Sequence, residues 1–360
     1  RRSDMSAATR AVFARLESGW DELKAQAAAK LGRADTPLIQ PFRGFGTRDE
    51  LWVRARVLED EGVISAVHSD SLWTNIKHTY KRYETDEIAD ARVRWTYGSQ
   101  SGEETTDAEG YVDFTIQPGA DFDGDAARQE VMLQLVHVPG HDIEPLTSRV
   151  HVRTPDTNAA DFGIISDIDD TIVYTGATNF AKHWRTVVAN SAESRQGYDH
   201  LPELYRALTD EERNPIFFVS SSPWNLFDLF ERYMVLNDIP LGPMLLKDFG
   251  LDDDKWLTGG HDGHKTKNIE RVLSTYPQLP FLLVGDSGQR DLAIYSKVVR
   301  DHPGRIKAVV IHDVTTAPNS AEAEAQLKTI RDGGALAIHT GDYGEAWDRL
   351  AEHGLAPSRG

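Results

Sequence analysis

The sequence predicts an α/β chain in which a doubly wound parallel-sheet domain follows a β-sandwich-like domain and an N-terminal helix. Three observations point there. From residue 162 onward short apolar runs alternate with helical patterns, the texture of a parallel sheet covered on both faces. Between about 36 and 155, strands alternate apolar and polar side chains, with Gly-, Asp- and Pro-rich turns separating several of them. Residues 6–32 carry apolar side chains at steps of three and four. These textures place domain boundaries at 1–35, 36–155 and 156–360.

In the first segment Phe13, Leu16, Trp20, Leu23, Ala27 and Leu31 form the stripe, and Gly32 supplies a stop. Seven basic and four acidic residues within 1–33 give a local positive surplus in a chain of net charge −18. Such a helix could help the protein meet a membrane. Amphipathicity is what any surface helix shows, so packing on the protein's own body is the preferred reading.

Strand candidates in the second segment are LWVRARVLE (51–59), ARVRWTYG (91–98), GYVDFTI (110–116) and VMLQLVHV (131–138). A β-sandwich is the natural packing for them. TTDAEGYVDFTI resembles the turn-and-strand signature of transthyretin-like sandwiches. No catalytic constellation stands out here, and Trp95 and Tyr111 read as core. RTPDTNAAD (153–161) reads as a linker.

Composition narrows the chemistry. Without cysteine there are no disulfides, thiolate zinc sites or cysteine nucleophiles, and the 13 histidines form no HExxH pattern. The net charge argues against nucleic acid as a main partner. Repulsion from anionic membranes is screened within about 8 Å at physiological salt, so transient membrane contact through a local basic face stays open. No apolar run approaches the ~20 residues that span a bilayer. RRSDMSAATRAVF lacks the apolar block of a secretory signal, so the expected location is cytoplasmic, with peripheral contact at a membrane as the variant reading.

In a doubly wound sheet ligands bind at the carboxyl ends of strands, so the residues after each apolar run matter most. After FGIIS come Asp167-Ile168-Asp169-Asp170-Thr171, with Asp167 and Asp169 on one side of an extended chain. Two carboxylates about 4 Å apart repel by roughly 4 kcal/mol at an effective dielectric of 20, and a bound cation is the usual remedy. Mg²⁺ suits such a site because few protein oxygens are offered and a phosphate can supply more.

After PIFFVS come Ser220-Ser221-Ser222-Pro223-Trp224, with Ser222 predicted as a helix N-cap and Pro223 as the first helical residue. That helix end would favour a phosphate, to which the Ser220 hydroxyl could donate. Three serines merely capping a helix is an equally weighted reading. Lys265 falls in the first turn of a helix beginning near Asp262 and running through Ile269, Val272 and Leu273. A lysine there opposes the helix dipole, and a nearby oxyanion would reverse the sign. His261, His264 and Lys267 read as rim or surface. After PFLLVG come Asp286-Ser287-Gly288-Gln289-Arg290-Asp291, where Gly285 and Gly288 let backbone approach an ion.

Together DIDDT, FFVSS, Lys265 and GDSGQRD resemble the four motifs of the haloacid dehalogenase superfamily. SDIDDTI, VSSSPWNL, LLKDFG, HKTKNIERVL and GDSGQRD are similar to the phosphatidate phosphatase catalytic domain of the actin patch protein type, over about residues 160–315. The resemblance implies a Mg²⁺-dependent phosphatase with Asp167 as nucleophile and metal ligand. Asp169 would be general acid and then base, its carbonyl on the metal. Ser220, Ser221 and Lys265 would hold the phosphoryl oxygens, Asp286 would complete the metal ligands, Thr171 would brace the loop and Asp291 would orient its neighbours. Asp170 carries no implied role.

The short intervals between motifs leave no room for a large cap, although VYTGATNFAKHWRT (173–186) could form a small flap. An open site admits a bulky or membrane-held phosphate. That suits phosphatidate, with diacylglycerol as product, but also a soluble or protein-borne phosphomonoester. A non-catalytic binding module is the third reading, opposed by the full set of mutually repelling carboxylates. Residues beyond about 315 carry no assignment.

Overall fold

The computed structural model describes residues 36–60, 87–173, 198–247, 262–288, 290–314 and 321–359. The expected N-terminal helix, His261 and all but the first residue of the expected flap lie outside these. The chain divides into two compact units, Arg1–Thr154 and Pro155–Gly360.

The first unit contains strands β1 (Thr36–Pro41), β2 (Gly44–Gly46), β3 (Leu51–Asp60), β4 (Arg92–Tyr97), β5 (Gln100–Thr105), β6 (Tyr111–Ile116), β7 (Arg128–His137) and β8 (Leu146–Arg153). Hydrogen bonds link them in the order β1-β3-β2-β8-β7-β4-β5, with β6 on β3. All neighbours are antiparallel except β2 and β8, which run parallel. A β-sandwich was expected; the described strands form one hydrogen-bonded, almost wholly antiparallel network around a single core. Leu51, Val53 and Val57 of β3 meet Val93, Leu133, Val150 and Val152 in that core because alternate side chains share a face.

The opposite face of β3 is covered by polar partners. Trp52 Nε1 and Arg54 Nη1 donate to the Asp113 carboxylate at 2.6 and 2.7 Å, and Arg56 Nη2 pairs with Glu87 at 3.0 Å. Both guanidinium groups lie 4.5–4.7 Å from the Tyr111 ring centroid. Tyr111 is buried as expected, but as a wedge between cations. The turn into β6 is closed by Asp107, whose Oδ1 accepts from the Glu109 and Tyr111 amides.

The second unit contains strands β9 (Gly163–Ser166), β10 (Ile216–Pro223), β11 (Met244–Lys247), β12 (Phe281–Asp286), β13 (Ile306–His312) and β14 (Leu336–Thr340). They form a six-stranded sheet, ordered β11-β10-β9-β12-β13-β14 and parallel throughout. The described helices are α1 (Leu201–Thr209), α2 (Phe227–Leu236), α3 (Asp262–Thr275), α4 (Asp291–Asp301), α5 (Ala321–Asp332) and α6 (Tyr343–Glu352). α3 packs on α4 and α4 on α5, while α1 packs on α6. The chain moves one way from β9 through β10 to β11, then returns to the other side of β9. Right-handed crossovers therefore send helices to opposite faces and open a crevice between the carboxyl ends of β9 and β12. Residues beyond 315 add α5, the edge strand β14 and α6. No described helix is long and apolar enough to cross a membrane.

Gly110 adopts φ +79°, and a Cβ there would stand 2.5 Å from the Val57 carbonyl oxygen. Gly110→Ala should therefore destabilise the first unit by about 1–3 kcal/mol, read as a lower denaturant midpoint. An unchanged midpoint would show that the turn relaxes.

Candidate active site

The strand-end residues meet at the β9/β12 crevice. Asp167 follows β9, and its amide still pairs with the Val284 carbonyl of β12 at 2.9 Å. The chain then turns: the Ile172 and Val173 amides both donate to the Ile168 carbonyl, and Asp170 takes φ +55°. Asp286 ends β12 beside it, so sheet pairing closes the 119-residue gap in sequence between the two carboxylates. Asp291 opens α4 and turns its carboxylate back over Gly285. A Cβ at Gly285 would meet that carboxylate at 2.3 Å, so the close approach needs glycine.

Lys265, 2% exposed in the first turn of α3, supplies the central cation. Its Nζ lies 2.8 Å from Asp167 Oδ1 and is also paired with Asp291 Oδ1. One carboxylate oxygen each from Asp167, Asp286 and Asp291 lies within 4.8 Å of the others. At that spacing and a dielectric of 20, each pair of charges repels by about 3.5 kcal/mol or more. Asp291, expected only to orient its neighbours, thus stands among the groups able to hold a cation. Its Oδ2 also accepts from the Asp286 amide, and Asp286 Oδ1 accepts from the Gly288 amide at 2.6 Å.

Asp169 has different partners. Its Oδ2 accepts from Ser220 Oγ at 2.5 Å, and Ser222 Oγ lies 3.0 Å from both carboxylate oxygens. This corrects the predicted cap. Ser222 and Pro223 belong to β10, a short 3-10 turn follows at Trp224–Leu226, and α2 starts at Phe227 without a side-chain cap. The buried carboxylate, distant in sequence, claims the hydroxyl that local capping rules assigned to the helix. Ser221 is half-buried at the same strand end. Thr171 Oγ1 donates to Asp167 Oδ2 at 3.4 Å. His264 is half-buried with Nε2 3.1 Å from the Leu246 carbonyl oxygen, and Lys267 is exposed.

Burial pushes the Asp167 carboxyl well above the usual range; Lys265 opposes this, while Asp291, Asp169 and Asp286 add to it. Asp169 is also raised by burial, against the hydrogen bonds from Ser220 and Ser222. Burial alone would lower Lys265, but Asp167 and Asp291 hold it above the ordinary lysine value. Four buried carboxylates therefore face one ammonium group.

Residues 162–313 match the family described as phosphatidate phosphatase APP1, catalytic domain. Over 150 residues the chain is 35% identical to phosphatidate phosphatase APP1 of Saccharomyces cerevisiae, covering 41% of this chain and 25% of that protein. That segment is therefore similar in sequence to the APP1 catalytic domain. An uncharacterised protein of Schizosaccharomyces pombe is 25% identical over 178 residues, covering 46% of this chain and 29% of its own length. The chain thus spans about a quarter of the length of these curated relatives. A carbohydrate acetylesterase from Xanthomonas citri aligns at a TM-score of 0.28 and 11% identity, over 82% of this chain and 74% of that one. The APP1 match ends at residue 313 and excludes α5, β14 and α6.

Asp286→Asn keeps the acceptor for the Gly288 amide and removes one repelling charge. In chelator it should raise the melting temperature by a few degrees, whereas Lys265→Met should cost about 3–5 kcal/mol by leaving carboxylates unpaired. A lower melting temperature for Asp286→Asn would contradict the repulsion described.

Proposed function

We propose that the second unit is a divalent-cation-dependent phosphomonoesterase of the haloacid dehalogenase type, hydrolysing phosphatidate to diacylglycerol and phosphate through an aspartyl-phosphate. One observation carries the reading. A segment akin to the APP1 catalytic domain buries Asp167, Asp286 and Asp291 around Lys265 at the sheet's switch point. Buried like charges persist at such a place where a reaction uses them.

The donor set fits Mg²⁺, a hard cation that would be held by carboxylate oxygens of Asp167 and Asp286 and the Asp169 carbonyl, with phosphate oxygens of the substrate completing its shell. The cation would neutralise charge so that a carboxylate and a phosphate ester can approach each other. Asp167 attacks phosphorus as a carboxylate, and Lys265 opposes the burial that would otherwise keep it protonated. Asp169 gives its proton to the leaving alkoxide, then takes one from the water that cleaves the aspartyl-phosphate. Its raised pKa suits the first role, and Ser220 and Ser222 fix its direction. Ser220, Ser221 and Lys265 hold the phosphoryl oxygens. Thr171 braces Asp167, and Asp291 orients Lys265. The substrate is met at a membrane surface, which supplies the lipid.

Phosphate release should be measured from phosphatidate in mixed micelles and from soluble phosphomonoesters and phosphopeptides. Turnover of phosphatidate should need Mg²⁺, stop with chelator and vanish in Asp167→Asn, while Asp169→Asn should lower kcat by about 10²–10⁴-fold. Higher kcat/KM on a soluble or protein-borne ester would reassign the substrate. No release from any of them would remove the phosphatase reading and leave a binding module.

A further inference from the structure

The loop carrying Asp167 and Asp169 is gripped from outside by three tyrosine hydroxyls. Tyr198 Oη donates to the Asp170 carbonyl at 2.9 Å, Tyr343 Oη to the Thr171 carbonyl at 2.8 Å, and Tyr233 Oη to the Ile172 carbonyl at 3.1 Å. Three consecutive carbonyls are thus each held by a different part of the chain: the approach to α1, the first turn of α6, and α2.

The loop has reason to need this. Asp170 sits in the left-handed region, which is unfavourable for a residue with a side chain. The amides of Asp170, Ile172 and Val173 bond within the loop, to the Val173 and Ile168 carbonyls. The carbonyls of residues 170–172 are met instead by side chains. The rings are themselves fixed. Tyr343 stacks on His312 at 4.5 Å and 3°, and Tyr198 lies edge-on to His312 at 4.3 Å and to Tyr343 at 5.8 Å. Burial raises Tyr233 to about 12 and lifts Tyr343 as well, so both hydroxyls stay protonated donors at neutral pH.

We infer that Tyr198, Tyr233 and Tyr343 are positioning residues, a tyrosine clamp that fixes the Asp170–Ile172 carbonyls and through them the directions of Asp167 and Asp169. Its effect on turnover rests on the phosphatase reading; its effect on the loop does not. Two members, Tyr198 and Tyr233, lie within the APP1 match, whereas Tyr343 lies beyond it. The clamp makes α6 part of the catalytic unit.

Tyrosine-to-phenylalanine changes keep the packed rings and delete the hydroxyls, so they separate clamping from core filling. Hydrogen exchange of a peptide spanning 166–173 should be measured for Tyr343→Phe and for the triple Tyr198→Phe/Tyr233→Phe/Tyr343→Phe. One lost hydroxyl should speed exchange of the loop amides about threefold or more, and three about tenfold or more, with β13 unchanged. On a phosphomonoester substrate the triple variant should lower kcat about tenfold with KM within about twofold. Tyr97→Phe, which removes a hydroxyl bonded to Gln129 Oε1 and to the Asp121 carbonyl in the first unit, should do neither. If the triple variant fails to fold, Tyr343→Phe alone decides. Unchanged loop exchange, or unchanged kcat alongside a melting loss like that of Tyr97→Phe, would reduce the tyrosines to core filling. If the wild-type chain releases no phosphate, the phosphatase reading falls and the exchange measurement still settles the clamp.

Discussion

The second unit is organised around an imbalance of buried charge: one ammonium, Lys265, against the carboxylates of Asp167, Asp169, Asp286 and Asp291. A lysine is seldom buried unless paired, and here two carboxylates grip one Nζ. The pairing removes part of the repulsion and leaves the rest. Several local features serve it. Gly285 clears room for Asp291, β12 delivers Asp286 beside Asp167, and Ser220 and Ser222 hold Asp169 on separate hydrogen bonds. The architecture concentrates negative charge where an ordinary core would exclude it.

Topology explains how sequence-distant groups achieve this. The strand order reverses between β9 and β12, and the connections leaving their carboxyl ends run to opposite sides of the sheet. Asp167 and Asp286 lie on either side of that reversal because their strands are hydrogen-bonded neighbours. The serines arrive from β10 on the other flank of β9. Three adjacent strands thus aim chemistry at one spot.

Much of this was legible in the sequence because three of the four motifs directly follow an apolar run, and β9, β10, β12 and β13 are buried along almost their whole length. Where the signal was weaker, reading failed for physical reasons. β5 is wholly polar, and its pattern of half-buried and exposed positions leaves no hydrophobic trace. β14 is short, interrupted by His339 and preceded by two glycines, so its membership depends on the neighbouring β13. Ser222 misled because its partner is 53 residues away. The grip of Tyr198, Tyr233 and Tyr343 was equally hidden: a tyrosine within apolar surroundings announces burial, not the carbonyl that its hydroxyl will find.

The position of β14 has a bearing on how this enzyme-like unit would be dissected or inherited. A fragment cut where family similarity stops would leave Ala308–His312 of β13, a largely buried and strongly apolar strand, as a bare sheet margin. Such margins recruit other chains, so the shortened piece would tend to self-associate before its chemistry could be assayed. The folding unit is therefore longer than the segment that similarity marks out, and the terminal strand acts as a seal against aggregation.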